Sequence, residues 1–524
     1  MIDDVLTAFD EYKYVLLNAP WGSGKTIVAT AVQRLMDVRS VNLTHTIQLQ
    51  RQYLDTMTWA SVATGRRNHA CELDILKATG VTADEAPCKV GAACEYIRPD
   101  GCSYYQGLYA AAANPQAVLN YSYAVRILQG HGVLNEIQGN PFRRDLLVCD
   151  EGDLAEAAII DGATIELDKT FVDMFSAPPR TSLCERFIAW AHDIKDRVMA
   201  WLRGEQEGVV CDDHSLVLCD ECDHHPSSKR ISAFHRATAF VAGLSALAKI
   251  KLAKDWTVIR DNWKVCVRPI WGWAVAQDVV FCHFKKVLIM SATLGDPATL
   301  ACKLDLAHGD WVVINVPCIF PVENRPVLYW PVAKMSRKST AADFDALASA
   351  INWLAHQDGL ENKKGIIHTG SFRLAEQLFS RLKQRSARYI LHAAGEQDAK
   401  DTIISKLRHD KQPLVVLSPS LATGLDVPYE IGFQIVAKVP FGNLADPVVR
   451  ARKDYKRGTV PFGQMNYDNE AINAVVQAYG RAVRAPDDQG VTFILDGHFW
   501  PLYKRTYTPE YFSEALRWLR KDGN

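Results

Sequence analysis

Ala19 to Thr26 read A-P-W-G-S-G-K-T, with the apolar run Tyr14 to Asn18 (Y-V-L-L-N) directly before them and a helical pattern to Asp37 directly after. Strand, glycine-bearing loop and helix in that order restrict the chain to a few α/β architectures. Gly22 and Gly24 let the backbone curl, so that its N–H groups, that of Ser23 included, point at phosphate oxygens. The helix N-terminus adds its positive end. Lys25 is then placed to contact β- and γ-phosphates and the Thr26 hydroxyl to ligate Mg²⁺. Such a site needs carboxylates at the end of a neighbouring strand, and L-L-V-C-D-E-G-D provides them. Asp150 is read as the Mg²⁺ ligand and Glu151 as the group that orients and deprotonates the attacking water of ATP.

The same alternation runs on. Val41 to Leu43, Leu146 to Cys149 and Val287 to Met290 read as buried strands. In the far half, strand Gly365 to His368, helix Phe372 to Arg385, strand Tyr389 to Leu391, helix Ala399 to Arg408 and strand Leu414 to Leu417 follow one another. Strands alternating with helices predict parallel sheets covered on both faces. Two such units are expected, meeting near residues 310–330, where Pro317, Pro321, Pro326 and Pro331 mark a linker. Residues 160–265 differ: Leu183, Phe187, Trp190, Ile194, Val198 and Trp201 recur at three- and four-residue steps, as do Phe234, Ala237, Val241, Leu244 and Ala248. That segment is predicted to be a mainly helical insertion.

Lys+Arg total 59 against 60 Asp+Glu, so any nucleic-acid contact has to come from a local groove rather than a global basic excess. No apolar run reaches the 18 or more residues of a membrane span. M-I-D-D-V-L-T-A-F-D-E is acidic where a signal peptide is basic and then apolar, so a cytoplasmic location without membrane contact is expected. Thirteen cysteines are too few for a disulfide scaffold, and in a reducing compartment their clusters point to metal or redox chemistry. Cys71, Cys88, Cys94 and Cys102 are spaced C-x16-C-x5-C-x7-C. Four thiolates suit tetrahedral Zn²⁺ or a four-iron cluster; the lack of C-x-x-C pairs favours iron–sulfur.

Further motifs turn this outline into a resemblance. S-A-T-L (Ser291 to Leu294) follows the Val287 to Met290 run, and Q-A-Y-G-R-A-V-R (Gln477 to Arg484) fits the pattern Q-x-x-G-R-x-x-R. With A-P-W-G-S-G-K-T and D-E-G-D they stand in the order of superfamily 2 helicase motifs I, II, III and VI. T-H-T-I-Q-L-Q-R-Q-Y (Thr44 to Tyr53) resembles motif Ia, H-T-G-S-F-R-L-A-E-Q-L (His368 to Leu378) motif IV, and L-A-T-G-L-D (Leu421 to Asp426) motif V. The four cysteines and the N-Y-S-Y stretch (Asn120 to Tyr123) resemble the XPD/DinG-type iron–sulfur helicases. The resemblance spans nearly the whole chain.

It implies an α/β fold of two RecA-like motor lobes, with an iron–sulfur insertion and a helical arch in the first. The first lobe would take residues 1–65, 110–160 and 265–315, the cluster domain 66–109, the arch 161–264 and the second lobe 316–524. It implies a 4Fe-4S cluster on Cys71, Cys88, Cys94 and Cys102, nucleotide contacts from Asp426, and γ-phosphate sensing by Gln477, Arg481 and Arg484, the arginines acting as fingers. The implied activity is 5′ to 3′ translocation on single-stranded DNA with unwinding of forked or tailed duplex, by a monomer, in a family that serves DNA repair among other processes. A translocase that remodels protein–DNA complexes, a cluster-bearing binder with vestigial ATPase, and an RNA substrate are the alternatives.

The match has departures. D-E-G-D stands where the family shows D-E-A-H, so Asp153 replaces the histidine that couples motif II to motif III. Eighteen residues precede the phosphate-binding loop, too few for an upstream glutamine motif, so adenine selectivity has no support in this sequence. Cys211, Cys219 and Cys222, with His224 or His225, form either a zinc site or, given the acidic residues among them, a solvated loop. Trp256, Trp263, Trp271 and Trp273 are read as base-stacking or core residues, with core packing expected of the last three. Tyr104 and Tyr105 are read as base-stacking or core residues, and Arg450 to Arg457 as a phosphate contact or a solvated helix face.

Overall fold

The computed structural model describes residues 1–73, 77, 80–90, 94–128, 141–175, 184–207, 228–392, 399–421 and 429–519. Two compact units divide the chain. The first comprises Met1–Leu16, Thr26–Met290 and Ala301–Val312; the second comprises Leu17–Lys25, Ser291–Leu300 and Val313–Asn524.

The strands run in chain order as β1 (Tyr14–Asn18), β2 (Ser40–Thr44), β3 (Ser61–Val62), β4 (Gln116–Asn120), β5 (Leu146–Asp150), β6 (Ile165–Asp168), β7 (Trp256–Arg260), β8 (Lys264–Pro269), β9 (Lys286–Ser291), β10 (Trp311–Asn315), β11 (Val327–Ala333), β12 (Gly365–His368), β13 (Tyr389–Leu391), β14 (Val415–Ser418), β15 (Phe433–Val436), β16 (Val491–Asp496) and β17 (Leu516–Trp518). One seven-stranded sheet has the order β10-β1-β9-β5-β2-β4-β3. Its pairings of β5 with β9 and β2, and of β4 with β2 and β3, are parallel. A second has the order β13-β14-β12-β15-β16-β11-β17, parallel throughout. Every residue of β1, β2 and β5 is buried, as in strands covered on both faces. The two parallel sheets expected from the alternation are therefore present, and β1, β12 and β13 have the expected ends.

Helices close the second sheet by ordinary local chemistry. Thr340 and Asp343 form a capping box at the start of helix Ala341–Ala355. The Ser371 hydroxyl caps helix Phe372–Leu382, whose Leu374, Ala375, Leu378 and Leu382 share one buried face. These side chains pack with Ile367, Leu417 and Ile435 in a single apolar cluster.

The segment between β5 and β9 is less purely helical than its periodicity predicts. Helices Cys184–Glu207 and Ser228–Leu247 are there, and Phe187, Trp190, Ile194, Val198 and Leu244 are buried together as the helical pattern requires. They pack on a three-stranded antiparallel sheet, β6-β8-β7. The signal for it is the strict in–out alternation of burial along K-V-C-V-R-P in β8, a period of two over one short run. Trp271 is buried as expected, but Trp263 lies between β7 and β8 and is 83% exposed. Its backbone is pinned, not its ring: Asp261 Oδ1 accepts the N–H groups of Trp263 and Lys264 at 2.7 Å each. Cys211, Cys219, Cys222, His224 and His225 lie outside the described residues, as does Asp426. Among the described residues no helix is long and apolar enough to cross a membrane.

Candidate functional site

Gly22 (φ +73°) and Gly24 (φ +76°) both take the left-handed backbone that the loop sequence anticipates. The Ser23 hydroxyl donates to the Pro20 carbonyl at 2.7 Å, and Lys25 Nζ donates to the carbonyls of Ala19 (3.0 Å) and Pro20 (3.2 Å). Trp21, 6% exposed, anchors the loop within the second unit. Its ring meets Tyr479 and Tyr511 edge-on, with centroids 5.3 Å away in each case, and Phe320 at 6.3 Å. Gly480 has to be glycine for this contact, because a Cβ there would lie 2.8 Å from the Trp21 ring. Trp21, Phe320, Tyr479 and Tyr511 were invisible as a group in the sequence, where 458 positions separate the first from Tyr479.

The first unit brings Thr26, Asp150 and Glu151 into one neighbourhood through Tyr53. The Tyr53 hydroxyl donates to Asp150 Oδ2 at 3.2 Å, and Thr26 and Glu151 lie near enough to act on the phenol electrostatically. Burial first, and the Asp150 carboxylate second, push the Tyr53 phenol pKa well up, so it stays a donor. Tyr121 donates to the Asp150 carbonyl at 2.9 Å, and Asp150 Oδ1 accepts the Glu151 N–H at 3.0 Å. Glu151 itself sits at φ +50°, ψ +48°, a left-handed conformation that costs a residue with a Cβ of order 1–3 kcal/mol. The glycine of D-E-G-D has a local cause: a Cβ on Gly152 would come within 2.3 Å of Ile289. A hydroxyl and a carboxylate are hard oxygen donors, and one or two protein ligands of this kind suit a nucleotide-bound Mg²⁺.

The S-A-T-L and Q-A-Y-G-R-A-V-R segments meet inside the second unit. Gln477 Nε2 donates to Thr293 Oγ1 at 3.3 Å, and the Tyr511 hydroxyl donates to the Ala292 carbonyl. The Arg484 N–H donates to Asp488 at 2.9 Å, and the Arg481 charge acts on His368 at the end of β12. Burial pushes the His368 pKa down to about 4; the 3.1 Å contact with Gln434 opposes this, and Arg481 adds to it. A base whose folded pKa lies below its unfolded 6.5 stabilises the fold above pH 6.5 and loses that stability as pH falls towards 4. Unfolding free energy should therefore drop by roughly 3 kcal/mol more across that window in the parent than in His368→Gln. Denaturant melts at pH 7 and pH 4.5 check it; equal pH slopes for the two proteins would contradict it.

Cys71, Cys88 and Cys102 are buried and Cys94 half-buried. Arg66 Nη1 donates to Cys88 Sγ at 3.2 Å, and Cys94 acts electrostatically on the same thiol. Cys94 first, and Arg66 after it, hold the Cys88 thiol well below its usual range, while Cys88 and burial push the Cys94 thiol up. The charges of Cys88 and Cys102 reach both Cys71 and Cys94, so the four thiols lie within electrostatic range of one another. Among the described residues, no three His, Cys, Asp or Glu side chains are arranged to hold a metal ion. Tyr104 and Tyr105 are buried beside Arg66, whose guanidinium lies 4.4 Å over the Tyr104 ring, so they are core residues here. Helix Pro447–Asp454 buries none of its residues, so this part of the Arg450 to Arg457 run lies at the surface, as both of its readings require.

Residues 360–522 match the family described as helicase C-terminal domain. No curated protein sequence matches the chain. Among solved structures, one titled as an XPD helicase aligns over 99% of this chain and 98% of its own at a TM-score of 0.62 and 14% identity. An apo XPD structure aligns over 99% of both chains at 0.58 and 13%, and Xpd4 of S. tokodaii over 99% and 98% at 0.54 and 14%. The chain thus has the fold of the solved XPD structures, and residues 360–522 match the family of helicase C-terminal domains.

Proposed function

We propose that this chain is an ATP-hydrolysing DNA helicase that moves 5′ to 3′ on single-stranded DNA and separates forked or tailed duplex. The observation that carries the reading is the convergence of Thr26, Asp150 and Glu151 around Tyr53, with Glu151 held in a strained backbone. Thr26 and Asp150 would hold Mg²⁺, which supplies charge neutralisation at the β- and γ-phosphates. Lys25 and the N–H groups of Gly22 to Lys25 bind the phosphates, and Glu151 orients the attacking water and accepts its proton. Gln477, Arg481 and Arg484 read the γ-phosphate, and Gln477 passes its state to Thr293 through their hydrogen bond. DNA as substrate and the direction of travel rest on the likeness to XPD/DinG-type motors.

The deciding experiment is ATP-dependent separation of duplexes carrying only a 5′ or only a 3′ single-stranded tail, with protein purified without oxygen. Unwinding of the 5′-tailed substrate alone is expected. Failure on both tails, with DNA-stimulated hydrolysis intact, would make the protein a translocase or remodeller.

Cys71, Cys88, Cys94 and Cys102 would hold a 4Fe-4S cluster, which would brace residues 66–109. What supports this reading is the chemistry of the donors: four thiols within electrostatic range of one another, with Arg66 beside Cys88 favouring the thiolate that iron requires. Cys88→Ser should lose most of its iron and its visible charge-transfer absorbance. Metal analysis of the anaerobic protein checks this, and zinc in place of iron in the parent would contradict it.

A further inference from the structure

Strand β15 is buried along its whole length, yet its second residue is a glutamine. Gln434 lies opposite Ile366 on β12 and Thr492 on β16. Its side chain therefore shares a face of the sheet with Thr492 and, two positions along β12, with His368. Helix Phe462–Tyr479 covers that face, where Val436 and Ile494 pack with Ile472, Val476 and Tyr479. Gln434 Nε2 donates to the Tyr479 carbonyl at 2.9 Å and to Thr492 Oγ1 at 2.8 Å, and its Oε1 lies 3.1 Å from His368 Nε2. A carbonyl only accepts, so the amide has one orientation and its oxygen takes the His368 N–H. One buried side chain thus bonds three separate segments of the second unit.

We propose that Gln434 is a positioning residue for Arg481: its amide holds the end of helix Phe462–Tyr479 on the sheet and so sets where the guanidinium two positions further on can reach. The inference rests on the reading of Arg481 as a γ-phosphate finger. The last carbonyls of a helix have no partner within it. Here the Tyr479 carbonyl takes the Gln434 amide at 2.9 Å and the Ala482 N–H at 3.4 Å, while the Arg481 N–H donates to the Ala478 carbonyl at 3.0 Å. Gln434 therefore ties the turn that carries Arg481 to β12, β15 and β16 at once. An aliphatic side chain would fill the same space and let the helix end shift against the strands. A finger acts in the transition state, where a displacement of about 1 Å costs up to about 10²-fold in rate. An interaction made only there shows in kcat and not in nucleotide binding.

The test is a double-mutant cycle on the full chain with two readouts. One is single-turnover ATP hydrolysis with a single-stranded oligodeoxynucleotide; the other is equilibrium binding of a fluorescent, non-hydrolysable ATP analogue. Gln434→Met keeps the length of the side chain and removes its hydrogen bonds. It should slow hydrolysis about 10-fold and leave analogue binding within about 2-fold of the parent. Arg481→Ala should slow hydrolysis about 10³-fold. Adding Gln434→Met to Arg481→Ala should then cost nothing more. A further loss of about 10-fold in that background would mean that Gln434 acts by another route. No loss in the parent background would remove it from the machinery, and an equal loss of analogue binding would make it a packing residue; each of the three overturns the proposal. Thr492→Val removes one anchor of the amide and keeps its bond to Tyr479. It should give a smaller loss, about 3-fold, that also vanishes with Arg481→Ala, and it carries the same cycle if Gln434→Met does not fold. If Arg481→Ala hydrolyses ATP as the parent does, the finger reading itself fails. If Arg481→Ala is slow and the cycle is additive, only the role given to Gln434 fails.

Discussion

Glu151→Gln should bind nucleotide as tightly as the parent chain and hydrolyse it about 10²- to 10⁴-fold more slowly. Glutamine has the shape of glutamate and keeps its hydrogen-bonding reach, but it does not take the proton of the attacking water. The backbone argues that this position is held for chemistry. A left-handed residue with a Cβ persists only where its surroundings over-determine it. Here the Glu151 N–H is tied to Asp150 Oδ1 and the next residue is wedged against Ile289. A second variant exposes the strain directly. Glu151→Gly should be as inactive as Glu151→Gln but more stable than the parent by up to about 1 kcal/mol, because glycine takes φ +50° without penalty. Lys25→Ala differs from both, since it should lose nucleotide binding together with turnover. Binding titrations, single-turnover hydrolysis and denaturant melts on the three variants separate these outcomes. Turnover by Glu151→Gln within 10-fold of the parent would show that another group activates the water.

Much of this was legible in the sequence because it is local. The run Y-V-L-L-N ends as strand β1 at the residues predicted, and the loop glycines adopt positive φ because the turn that follows a strand and opens a helix leaves no other course. The helix faces at Phe187 to Val198 and Leu374 to Leu382 follow from their 3.6-residue period. What stayed hidden is non-local. Tyr53 meets Asp150 across 97 positions, and Trp21 meets Tyr479 only because two distant segments pack together. Short antiparallel strands between strong helices leave a weak trace, which is why β6, β7 and β8 were read as part of a helical insertion. Trp263 shows the limit from the other side. A tryptophan beside an alternating run predicts burial, but the Asp261 turn between β7 and β8 carries the ring out into solvent.

Arg325 is the clearest case of a residue whose neighbourhood in the chain misleads, and its loss should be among the most damaging single changes in the second unit. It stands between Pro321 and Pro326 in what reads as a linker, yet it is 2% exposed. Its Nε donates to the Phe320 carbonyl at 2.9 Å and one Nη to the Tyr479 hydroxyl at 2.8 Å. Further bonds go to the Tyr511 carbonyl and the Glu514 carboxylate. The fork thus ties the linker to Tyr479, two positions before Arg481, and to the Tyr511 that reaches Ala292. Glu514 is 44% exposed, so water screens that ion pair and it contributes well under about 1 kcal/mol. The buried carbonyls and the phenol carry the effect, because each stranded acceptor costs about 1–3 kcal/mol. Arg325→Met should therefore lose about 3 kcal/mol, and Arg325→Lys nearly as much, since an ammonium keeps the charge but not the planar fork. Glu514→Gln should change stability by less than about 1 kcal/mol. Denaturant unfolding of the three variants tests the ordering. If Glu514→Gln proves as damaging as Arg325→Met, the ion pair rather than the fork holds the linker, and the route from Phe320 to motif VI runs through charge.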